Sequence, residues 1–133
     1  MLSGCSNNKQ IETMPEDTAD YTYGIYELTF TAKKISNNSV GNDWIITYKH
    51  NDKEIKSGYQ IPLSLEIFTF QTIEVEIRED DKIDDVGSGK MNVAICDGGS
   101  GKVRITVTEN NGRYKGNSAE WEIICSVKLV GKK

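Results

Sequence analysis

The sequence predicts an all-β protein, an antiparallel β-sandwich of about eight strands, and three observations carry that reading. Apolar residues recur at every second position in one segment after another, the mark of half-buried strands. Clusters of Gly, Asn and Asp separate these segments at short intervals. No stretch holds apolar residues at i, i+3 and i+4 over three turns, so no amphipathic helix is predicted.

The first strand is written by Tyr26, Leu28, Phe30 and Ala32 alternating with Glu27, Thr29, Thr31 and Lys33. After the turn Gly41-Asn42-Asp43, residues Trp44, Ile46 and Tyr48 begin a second strand. Asn51-Asp52-Lys53 turns the chain into a third strand from Glu54 to Ile61, which Pro62 ends because it cannot donate to a ladder. Leu65, Ile67 and Phe68 lead to Phe70, and Ile73, Val75 and Ile77 then alternate with Glu74, Glu76 and Arg78. Asn92 to Cys96 forms a strand after an acidic stretch. Asp97-Gly98-Gly99-Ser100-Gly101 reads as a hairpin turn into Val103, Ile105 and Val107. Asn110-Asn111-Gly112 precedes a last strand from about Ala119 to Val130.

The 133 residues, 37% of them hydrophobic, suffice for one domain with a substantial core. Residues 21–133 are assigned to it, and residues 1–20 to a tether. The tether holds only Ile11, Met14 and Ala19 as apolar residues after Cys5, too few to order itself. A net charge of −4 argues against a nucleic-acid partner. The single His50 rules out a His-rich metal site and leaves no Ser-His-Asp arrangement to expect. Asp97-Gly-Gly-Ser-Gly-Lys102 fails as a phosphate loop, since Cys96 occupies the first Gly position and Val103 the Ser/Thr position. The acids crowd on one loop instead of flanking a cleft, so catalysis is not expected.

Leu2-Ser3-Gly4-Cys5 resembles the lipobox of bacterial lipoproteins. That resemblance implies cleavage before Cys5, lipid on its sulfur, and an extracytoplasmic domain anchored to a cell-envelope membrane. A tether of about 15 residues reaches about 20 Å. Cys96 and Cys125 then remain in a disulfide-permissive place. Cys125 is in phase with Trp121, Ile123 and Val127, whereas Cys96 is out of phase with Met91, Val93 and Ile95. Two buried thiols are therefore expected in preference to a bridge.

The charge is concentrated. Glu79, Asp80, Asp81, Asp84 and Asp85 against Lys82 give −5 + 1 = −4, the net charge of the whole chain. An alternating strand that ends in spaced carboxylates and closes on Val86-Gly87 resembles the third acidic loop of C2 domains, an eight-stranded β-sandwich family. Asn42-Asp43-Trp44-Ile45 resembles the segment that opens a C2 strand. The resemblance implies a Ca2+ site built from Asp43, Glu79, Asp81, Asp84 and Asp85. Glu79 in place of an Asp, a short gap before Asp85, and Asn37-Asn38 in the first loop reduce that expectation to one ion. Ca2+ prefers six to eight oxygens, and crowded carboxylates need a cation or open solvent between them. Gly87 and Gly89 are expected to let the loop fold around the ion. The alternative is a solvated hairpin tip that keeps an edge soluble. The function expected is that of a non-catalytic, lipid-anchored binding module, with calcium as its candidate cofactor. A structural or inhibitor-like envelope lipoprotein that binds another protein without metal is the alternative.

Overall fold

A computed structural model describes residues 22–37, 40, 43–80, 85–109 and 116–133. Eight strands run through them: β1 (Tyr23–Asn37), β2 (Trp44–His50), β3 (Lys53–Ile55), β4 (Tyr59–Ser64), β5 (Thr69–Glu79), β6 (Asp85–Ile95), β7 (Ser100–Thr108) and β8 (Ser118–Lys132). They form two antiparallel four-stranded sheets, ordered β4-β1-β8-β7 and β3-β2-β5-β6. The all-β sandwich predicted from the alternation is what the chain builds.

The inward phase of each strand supplies the core. Leu28, Ile73, Val75, Ile77, Val93, Ile95, Val107 and Ile123 are almost wholly removed from water. Each such side chain contributes roughly 1.5–3 kcal/mol relative to exposure. Aromatic pairs join the two sheets: Phe30 stacks on Tyr48 at 4.1 Å between ring centroids, and Trp44 meets Trp121 edge-on at 5.4 Å. His50 is also inside. Its Nε2–H donates to Gln71 Oε1 (2.9 Å), and its Nδ1 accepts from the Tyr59 hydroxyl (3.0 Å), which ties β2 and β5 to β4 of the other sheet.

Strand β6 begins at Asp85, earlier than the Asn92 read from the sequence, and three further segments differ from that reading, each for a physical cause. The segment 54–61 is two strands, because the chain leaves one sheet after Ile55 and joins the other at Tyr59. Gly58 makes that crossing at φ 98°, with its N–H on the Leu28 carbonyl (2.7 Å). Pro62 lies within β4 instead of ending a strand, which a sheet edge permits. The segment 97–101 is no hairpin: it carries the chain from β6 in one sheet to β7 in the other.

Those two edge strands, β6 and β7, approach one another closely. A Cβ at Gly87 would stand 2.5 Å from the Thr106 carbonyl oxygen, and one at Gly89 would stand 3.0 Å from Val103 Cγ2. A Cβ at Gly101 would meet the Asn92 carbonyl at 2.8 Å. The glycines thus close one side of the sandwich.

Cys125 fulfils the expectation of a buried free thiol, and its burial pushes its pKa up to about 12. Cys96, also buried, is disulfide-bonded, so the expectation of a second free thiol is corrected. Its partner lies outside the described residues and is not Cys125.

Candidate functional site

The strands give the sandwich two ends of opposite character. Strand β5 runs between them, eleven residues spanning about 33 Å from Thr69 to Glu79.

At the far end stand the acids. The ladder pairs Trp44 with Glu79 and Glu79 with Asp85, and the Asp80 N–H donates to the Asp43 carbonyl at 2.6 Å. The backbone therefore brings Asp43, Glu79, Asp80 and Asp85 to one place. Their side chains divide into two sets. Asp43 and Asp80 are exposed, while Glu79 (4% exposed) and Asp85 (1%) continue the inward phase of Ile73, Val75 and Ile77 on β5 and of Met91 and Val93 on β6. Like charges directly opposite in a ladder repel, and burial strengthens the repulsion. Both buried carboxylates are engaged with other groups of the chain.

Asp81 and Asp84 lie outside the described residues. Among the described residues, no group of three or more His, Cys, Asp or Glu side chains comes together to hold a metal ion. Gly87 and Gly89 belong to β6 and pack against β7, so they do not wrap an ion as the sequence suggested. A wholly solvated set of acids does not describe Glu79 and Asp85, which are buried.

The near end carries the residue at which the described chain begins. Thr22 N–H and Tyr23 N–H both donate to the Lys133 carbonyl (2.9 and 2.7 Å), and the Thr22 carbonyl accepts from Leu65 N–H (3.0 Å). Beside them Tyr23, Ile67, Phe68 and Phe70 expose 44–53% of their surface, and the two phenylalanine rings meet edge-on at 5.2 Å. Reading the sequence for strands passed over this cluster. Its signal is the adjacent pair Ile67-Phe68, which no period-2 strand can bury on one face.

The outer face of β2, β5 and β6 holds a shallow depression of about 320 Å3. Lys49, Glu74 and Lys90 cross it as one row of alternating charge. Opposite charges on neighbouring strands support the sheet. Cys5 and the tether lie outside the described residues. Comparison with protein-family models, curated proteins and solved structures finds no match.

Proposed function

We propose that the chain is a non-catalytic binding module of the bacterial cell envelope, held to a membrane by lipid on Cys5 and resembling a C2 domain. The acidic end is its recognition surface. The observation that carries the reading is the opposition of the two ends: the chain enters beside Tyr23, and Asp43 and Asp80 are presented at the other end of β5. Two four-stranded antiparallel sheets suit the C2 likeness.

Calcium is the ligand proposed for the acidic end, through Asp43, Glu79, Asp81, Asp84 and Asp85. Extracellular sites of this kind bind at about 10⁻⁴–10⁻³ M. Calcium at a hundredfold excess over such a constant stabilises the folded state by about 2.7 kcal/mol. Thermal unfolding in about 10–100 mM Ca2+ and in chelator tests this, and an unchanged midpoint would sink the metal. The exposed carboxylates of Asp43 and Asp80 favour a second reading, a basic protein partner bound without metal. Binding to envelope extract that survives chelator and is lost in Asp43→Asn/Asp80→Asn would select it.

Three cysteines are present and Cys125 is free. Lipid on Cys5 and an intrachain disulfide at Cys96 are therefore alternatives for one sulfur. The anchor reading requires two free thiols in the mature chain. Intact mass after alkylation, with and without reductant, decides between them.

A further inference from the structure

We infer that the near end of the sandwich is a seating surface for the bilayer, with Tyr23, Ile67, Phe68 and Phe70 entering the interfacial layer of the membrane that carries Cys5. This rests on the lipid-anchor reading above. Four large apolar side chains, each close to half exposed, crowd at one end of a small domain. They are held in place. The Ile67 N–H donates to the Ser64 carbonyl (3.1 Å), the Glu66 N–H to Ser64 Oγ (3.3 Å), and Phe68 and Phe70 brace each other edge-on. Aromatic rings fixed on strand ends (Tyr23, Phe70) and on the ordered loop that precedes β5 (Phe68) suit the boundary between headgroups and acyl chains, because little side-chain entropy is lost when they insert.

The place where the chain enters selects the occupant. Residues 6–21 separate Cys5 from Thr22, and a chain of that length reaches about 20–24 Å. The Thr22 carbonyl is hydrogen-bonded to Leu65 at the start of the apolar loop, so the anchor pulls on the same end that exposes these rings. A bilayer tethered that near is present at high effective concentration, and weak insertion suffices. Charge does not drive it: exposed Lys132 and Lys133 are balanced by exposed Glu66 and Asp97. Seating is apolar and insensitive to salt. It also directs the acidic end away from the membrane.

Flotation of the full chain carrying Cys5→Ser with phosphatidylcholine vesicles tests the surface without its anchor. The expected result is partition into the vesicle fraction that persists at high salt. Phe68→Ser/Phe70→Ser lowers it about tenfold, with the unfolding midpoint unchanged, and Ile67→Ser lowers it less. Equal partition of the unsubstituted tip and the double variant overturns the inference. So does a double variant that only dissolves a dimer, which would make a second copy the occupant. Loss of partition at high salt overturns it too. The mass of mature Cys5 tests the anchor separately. A lipidated Cys5 with no tip-dependent partition removes the seating surface alone. Tip-dependent partition by a chain whose Cys5 proves unmodified removes the anchor and retains the tip.

Discussion

The two ends of the sandwich invert the usual placement of side chains. At the far end two carboxylates, Glu79 and Asp85, are buried in core phase, while at the near end phenylalanines stand in water. The far end is built from strand residues in a ladder, so its side chains inherit the parity of the core. At the near end Ile67 and Phe68 lie on a loop outside any ladder, just before Phe70 at the start of β5, and no described residue buries them. A buried acid and an exposed aromatic both cost solvation free energy. What differs is tolerance: change at the far end strains two sheets, and change at the near end alters only a surface.

That contrast is broken most directly at Gly87. Gly87→Val drives a branched side chain into the Thr106 carbonyl and Val107, and a loss of about 3 kcal/mol in chemical denaturation is expected. A loss below about 0.5 kcal/mol would mean that β6 and β7 can part. Toward the near end, Gln71→Leu leaves the His50 Nε2–H without its acceptor, at a cost of about 1–3 kcal/mol in the same assay. Between the ends, Cys125 reports on the sealed core. Its folded pKa of about 12 lies above the ordinary 9, so the folded state holds the proton more tightly. Stability tied to that thiol is complete below pH 9 and is lost as pH rises through 12. Tyr26, raised by burial and by Asp97, and Tyr48, raised by burial and by Cys125, push in the same direction. Unfolding followed against pH should steepen above pH 9, and at neutral pH Cys125 should resist alkylation until denaturant is added. The smallest effect belongs to Phe68→Ser, expected to shift stability by less than about 0.5 kcal/mol in vesicle-free buffer.

Much of this was legible because parity along a strand is a local property. Ile73, Val75 and Ile77 point inward as their spacing requires, and extending the count to Glu79 gives its burial too. Reading it as a loop acid set that parity aside. Asp85 likewise shares its phase with Met91 and Val93, but β6 begins farther back than Asn92 suggested. Sheet switching is not local. The turns at 56–58 and 97–101 carry ordinary Gly-rich chemistry, and only the pairing partners of the strands beyond them show that each changes sheet. Of the five proposed metal ligands, Asp43 and Glu79 lie at one end because β2 and β5 are antiparallel neighbours. Whether carboxylates converge depends on side-chain direction, which alternation predicts only for residues inside strands.

Strands β1 and β8 bear on the order in which the chain can fold. They pair along thirteen positions, from Gly24 with Lys132 to Asn37 with Ala119, yet about 95 residues of chain separate them. β1 finds its other neighbour, β4, along only six positions. The first strand made is therefore stabilised mainly by the last, and closing so long a loop is slow. The sheet that holds β1 therefore cannot close until residues 118–132 are available to pair with it.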